Sequence, residues 1–194
     1  MISKNVLQEI DKAIKGIWLN EIVKDYEECS LLKEDSLKCS LYHHLRNRLG
    51  KLLEENHLRI YPEFYFPALK YRADIAIVEL DPDSQAIRLV DRVKAVIAIF
   101  ELKYDGGTAK GTTEFIKNDV WKIKDYIQSG KLLCQYYFAV IYETESSTLN
   151  WLDKRSSKHW AKGYVTELNA GFIGDEMWFE VNSYNGMNEE EFER

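Results

Sequence analysis

Glu101 and Lys103 close the run VIAIFELKYDGG, residues 96–107, where an acid and a lysine one residue apart end an otherwise apolar stretch. Asp74 interrupts YRADIAIVEL in the same way, set among residues that favour burial. Side chains in a strand alternate faces with period two, so Glu101 and Lys103 share one face and Leu102 turns to the other. If the two strands are neighbours, Asp74, Glu101 and Lys103 meet. Buried carboxylates are costly unless a charge or hydrogen bond answers them, and two close together also repel. A divalent cation resolves both problems. Oxygen ligands completed by water suit Mg²⁺ or Mn²⁺, and the absence of clustered His or Cys argues against zinc.

A further acid lies on a predicted helix. Leu37, Leu41, Leu45, Leu49 and Leu52 recur at near-helical spacing from about Lys33 to Asn56. Glu34 sits three residues before Leu37 and continues that stripe, whereas Asp35 lies about 100° away. Glu34 is therefore the inward-facing acid. On a later helix marked by Ile116, Val120, Ile123 and Ile127, Asp119, Lys122 and Tyr126 flank the apolar stripe and line the same cleft; that helix stops at Gly130. Each feature also has an ordinary reading: an edge ion pair, a strand-end Asp, a first-turn acid favoured by the helix dipole, a surface pair. The combination carries the inference, because the acids and lysine fall on matching faces in a fixed order.

These side chains need a frame. The first 30 or so residues read as an amphipathic helix through Val6, Ile10, Ile14, Ile17 and Trp18. RIYPEFYF, YRADIAIVEL and KAVIAIFELKY read as strands, with DPDS as a turn and a short strand at Ile87 to Val90 forming a hairpin into the strand at Val96. LLCQYYFAVIYE is a strand, then come a helix around Leu149 to Ala161 and a final strand at EMWFEVN. The apolar runs at Val96 to Phe100 and Tyr136 to Ile141 predict central strands covered on both sides. The pattern is α/β, a mixed sheet with helices on its faces.

The 194 residues, 45% hydrophobic and 13% aromatic, suffice for one domain with a sizeable core, and no repeat or linker divides them. No apolar run is long enough to span a bilayer, so no membrane is expected and a cytoplasmic location is. Cys29, Cys39 and Cys134 form no CxxC pair and suggest neither disulfides nor zinc. The net charge of −6 argues against nonspecific coating of nucleic acid, while leaving room for a local basic patch. DGGTAKG lacks the order of a nucleotide-binding P-loop, adjacent His43 and His44 point different ways on a helix, and NEEEFER reads as a solvated end.

In this order of elements the chain resembles the PD-(D/E)XK nuclease superfamily, with its restriction-endonuclease-like fold. EDSLKCSLYHHLRNRL with Glu34, YRADIAIVE with Asp74, AIFELKY with Glu101 and Lys103, and KNDVWKIKDYI with Asp119, Lys122 and Tyr126 carry the likeness over residues 34–126. The strand of Asp74 lacks the proline that names the motif. The resemblance implies a single domain over 1–194, with a helical extension at 1–30 and a motif-bearing core at 33–126. It implies a Mg²⁺- or Mn²⁺-dependent endonuclease acting on nucleic acid, DNA first, with catalytic Glu34, Asp74, Glu101 and Lys103. The implied metal ligands are Asp74, Glu101, the Leu102 carbonyl and Glu34. Asp119, Lys122 and Tyr126 would touch substrate or support the ligands, and Arg46, Arg48, Arg72, Lys110, Lys117 and Lys122 would supply the basic surface. A homodimer or a partner protein is compatible with so small a chain. The competing expectation is a catalytically inactive module that binds nucleic acid or assembles proteins; a small-molecule enzyme on an unrelated α/β fold is disfavoured by the missing glycine and nucleophile motifs.

Overall fold

The computed structural model of the chain describes residues 2–67, 70–106, 112–130, 134–145 and 150–187. Ser3 caps helix α1 (Lys4–Gly16), its hydroxyl accepting from the Val6 N–H at 3.3 Å. The predicted single helix is then interrupted. Ile17–Ile22 forms a wider π-helical turn, in which the Asn20 amide donates to the Gly16 carbonyl at 2.6 Å, before α2 (Val23–Glu27). The wider turn resets the stripe so that Ile10, Ile14, Ile17, Trp18 and Ile22 are all buried.

Helix α3 (Glu34–Glu55) buries Leu37, Leu41, Leu45, Leu49 and Leu53; Leu53 replaces the predicted Leu52, which is half-buried. Six strands follow: β1 (Leu58–Phe66), β2 (Tyr71–Leu80), β3 (Val93–Asp105), β4 (Gln135–Glu145), β5 (Val165–Ile173) and β6 (Glu176–Ser183), lying in the sheet in chain order. Strands β1 to β3 pair antiparallel, β3 to β5 parallel and β5 to β6 antiparallel. Between β3 and β4 runs helix α4 (Thr112–Gln128), after which Gly130 takes a φ of +63° that closes the helix end as predicted. The α1 and α3 stripes pack on one face of the sheet. Ile116, Ile123 and Tyr126 of α4 pack on the other. The fold is thus α/β, a six-stranded mixed sheet flanked by helices, with β3 and β4 buried at its centre. No helix among the described residues is long and apolar enough to cross a membrane.

Three expectations are corrected. Ile87 to Val90 is not a strand: Leu89–Arg92 is a single 3₁₀ turn held by the Arg88–Asp91 ion pair, and Ile87 is 97% exposed. The helix expected around Leu149 to Ala161 shrinks to α5 (Lys154–Lys158), and Leu149 lies outside the described residues. Strand β5 was not anticipated, because VTELNAGFI places Glu167 and Asn169 where an apolar run is sought, yet both are buried. Glu167 explains the short helix as well. Its Oε1 accepts the Trp151 and Leu152 N–H groups at 2.8 Å, drawing that segment onto the sheet, and its Oε2 accepts the Tyr184 hydroxyl at 2.9 Å.

Burial pushes the Glu167 carboxyl up to about 7, against the opposing pull of those three donors. A raised carboxyl pKa means that the folded chain holds the proton more tightly. Stability from this group is complete below the ordinary Glu range and is lost as pH rises through about 7. Glu167→Gln is expected to flatten this pH dependence, which spans on the order of 3 kcal/mol. Parallel thermal-midpoint curves for the two proteins from acid to neutral pH would contradict the assignment.

A second buried polar group fastens the N-terminal helix. Asp11 on α1 accepts from Tyr137 on β4 and from Asn185, both at 2.8 Å, and pairs with Lys15 at 2.6 Å.

Candidate functional site

The site arises where the sheet splits. β2 and β3 pair as far as Ile75 opposite Phe100, and no further. Beyond that point β2 stays on β1 to Tyr71, while β3 continues along β4 to Asp105. Extending the register by one residue sets Asp74 opposite Glu101 at the mouth of the gap, and opposed residues share a face. Asp74 Oδ2 accepts the Leu102 N–H at 2.8 Å, so the carboxylate replaces the ladder partner that β3 has lost. A strand residue turns its N–H and C=O to the same side, which aims the Leu102 carbonyl into the same gap.

Glu101 is 1% exposed and ion-paired through Oε2 to Lys122 of α4 at 2.5 Å. Its Oε1 is buried without a hydrogen-bond partner. Burial pushes the Glu101 carboxyl up to about 8; Lys122 pulls it down, and the nearby Asp74 and Asp119 push it up again. Lys103 lies between two acids, 3.0 Å from Glu34 Oε2 and 3.0 Å from Asp119 Oδ2, the latter a charge contact without a directed hydrogen bond. Burial opposes the charge on Lys103, but Asp119 and Glu34 outweigh it and hold the ammonium above the ordinary lysine range. The Tyr126 hydroxyl is also buried and unpartnered, raised by burial and then by the Glu101 charge.

The chain therefore gathers the seven anticipated side chains and the Leu102 carbonyl at one end of the sheet, with a different wiring from that expected. Glu34 reaches inward and Asp35 stays exposed beside Lys33, as the helix geometry predicts. Glu34, however, addresses Lys103 rather than the Asp74–Glu101 pair. Among the described residues no three acids, His or Cys stand close enough to form a metal-holding group.

Two participants were missed. Lys38, one turn after Glu34 on α3, is ion-paired to Asp74 Oδ1 at 2.9 Å and to Glu63. Its i+4 spacing from Glu34 was the available signal. Glu63 lies on β1 opposite Asp74, and its φ of +54° is rare for a residue with a side chain inside a strand. Nothing in the residue type announces that conformation. Lys122 also donates to the Arg72 carbonyl at 2.9 Å, bridging the split.

The basic surface is only partly assembled. Arg72 and Lys122 stand at the split, and Lys117 is exposed on α4. Arg48 is ion-paired to Glu21 at 2.9 Å and Arg46 lies over the Tyr42 ring, both on the α3 side of the sheet. Lys110 and most of the DGGTAKG loop, like the NEEEFER end, lie outside the described residues. His44 meets Asp25 at 2.9 Å and His43 meets Asn47 at 2.8 Å. All three cysteines are free.

No protein-family model, curated protein or solved structure matches this chain.

Proposed function

We propose that this chain is a metal-dependent nuclease of the PD-(D/E)XK type, with a restriction-endonuclease-like fold, hydrolysing phosphodiester bonds in nucleic acid, DNA first. The observation that carries the reading is the Asp74–Glu101 pair at the split, with Lys103 two residues further along the same strand face. The donor set fits Mg²⁺ or Mn²⁺. Asp74, Glu101 and the Leu102 carbonyl offer hard oxygens, and Glu101 Oε1 is a buried acceptor without a donor. When bound, the ion supplies charge neutralisation at the phosphoryl group and acidifies a water.

The protein's own groups do the rest. Asp74 is fixed by the Leu102 N–H, so its free lone pairs have a set direction. Lys103, kept protonated by Glu34 and Asp119, orients the attacking water and faces the negative charge that develops on phosphorus. Glu34 and Asp119 act as positioning residues for that ammonium. Lys38 and Lys122 neutralise the acids until substrate arrives, then turn to its phosphates.

The inactive-module reading has one observation in its favour: each acid of the set already has a lysine. The two part on a direct assay. With Mn²⁺ the purified protein is expected to cut single- or double-stranded DNA and to stop on chelation. Intact DNA and RNA after incubation with either metal would exclude the nuclease.

Lys122 supplies a second discriminator. Its ammonium occupies the charge position that a cation needs at Glu101, so Lys122→Met is expected to tighten Mn²⁺ binding about tenfold, or ~1.4 kcal/mol, by calorimetry. Weaker binding in the variant would mean that Lys122 supports the ligand rather than competing for it.

A further inference from the structure

Around the end of β3, on the face opposite Lys103, lies a second cleft of about 380 Å³, within the size range of small-ligand sites. Tyr104 lines it, next to Lys103 in the strand and turned the other way. Its other walls include Tyr26, Phe179, Met177 and Leu32, the last 78% exposed at the rim. Phe179 is braced by a tilted contact with Trp18 and an edge contact with Tyr26, at 5.6 and 5.8 Å between ring centres.

The polar chemistry of this cleft is one-sided. The hydroxyls of Tyr26 and Tyr104 both converge on Glu143 Oε1 at 2.8 Å, and the Leu31 carbonyl lies 3.0 Å from the Tyr104 hydroxyl. Glu143 Oε2 takes no hydrogen bond from a described residue, and a side chain at Gly106 would stand 3.4 Å from it. Glu27 adds a second acid, and among the described residues no Lys, Arg or His lines the space. Such a cleft rejects phosphate. It selects a flat ligand that presents N–H donors to a carboxylate while its faces meet aromatic and apolar walls.

We infer that this cleft binds an unstacked nucleobase, guanine first, whose N1–H and N2 amine share Glu143 Oε2, the oxygen that Tyr26 and Tyr104 leave open, between the Tyr26, Tyr104 and Phe179 walls. Guanine is the base that offers two adjacent donors on its pairing edge, and reading a displaced base by that edge together with its faces is an established mode of recognition. Tyr104 lies about 10 Å along β3 from Glu101, three residues of strand and on the other face of the sheet, so a strand whose phosphate is at the split would round the end of β3 to place a base in the cleft. The inference rests on the nuclease reading for its biological sense, but free base binding requires neither metal nor cleavage.

Methyl-labelled methionine tests it in the intact chain, because Met177 lines the cleft and Met187 serves as an internal control. Guanosine is expected to shift the Met177 methyl resonance and leave Met187 in place. Inosine, which lacks the N2 amine, is expected to bind at least about tenfold more weakly, the worth of one hydrogen bond to a charged group. Glu143→Gln is expected to erase that preference. The comparison of nucleosides on wild type stands even if that variant folds poorly. An unmoved Met177, equal binding of guanosine and inosine, or tighter binding of arginine amide would overturn the assignment, the last by marking a site for a peptide cation. Guanosine binding by a protein without cleavage would sink the nuclease alone; cleavage without guanosine binding would sink the cleft alone.

Discussion

Asp74→Asn is expected to lower nucleic-acid cleavage by at least about 10³-fold while leaving the fold intact. The amide oxygen can still accept the Leu102 N–H, so the local anchor of β3 at the split survives. What the variant loses is the negative charge opposite Glu101. Mn²⁺ binding should fall with the rate, since one of the two closest acids no longer attracts a cation. Circular dichroism and thermal melting separate this outcome from unfolding. A variant that binds Mn²⁺ and cuts like wild type would remove Asp74 from the site.

Glu101→Gln is expected to move stability and activity in opposite directions. The carboxylate is buried, one of its oxygens has no partner, and its pKa is pushed up to about 8 by that burial. An amide removes the cost of a buried charge and places N–H donors among the Asp74 and Asp119 carboxylates that crowd Glu101. Lys122, partly exposed, retains the Arg72 carbonyl. In chelator the variant is expected to be more stable by ~1–3 kcal/mol, yet with Mn²⁺ it is expected to cut at least about 10³-fold more slowly. A variant that is less stable without metal would show that the Lys122 pair holds the sheet end together rather than straining it.

Much of the site was legible from residue type and spacing. Period-two alternation placed Glu101 and Lys103 on one face, and the 3.6-residue helix separated Glu34 from Asp35. What could not be read was the wiring, because it depends on where β2 and β3 stop pairing. That register sets Asp74 opposite Glu101 and also creates the gap that Lys38 and Lys122 bridge. Glu63 entered through a backbone conformation that no composition rule assigns to Glu. In the fold, strand β5 escaped notice because its polar residues serve the interior. Glu167 has N–H and hydroxyl donors there, while the Asn169 side chain has none. The spurious strand at Ile87 failed for the converse reason: apolar residues do not make a strand where Arg88, Asp91 and Arg92 tie the chain into a local turn.

If Lys103 and the Asp74–Glu101 pair form one hydrolytic unit, removing the ammonium must separate metal binding from cleavage. Wild type and Lys103→Met should be incubated with end-labelled DNA at saturating Mn²⁺, with metal binding measured on the same samples. Wild type is expected to cut and Lys103→Met to bind the metal yet leave the DNA intact. Equal cleavage by both proteins would contradict the account.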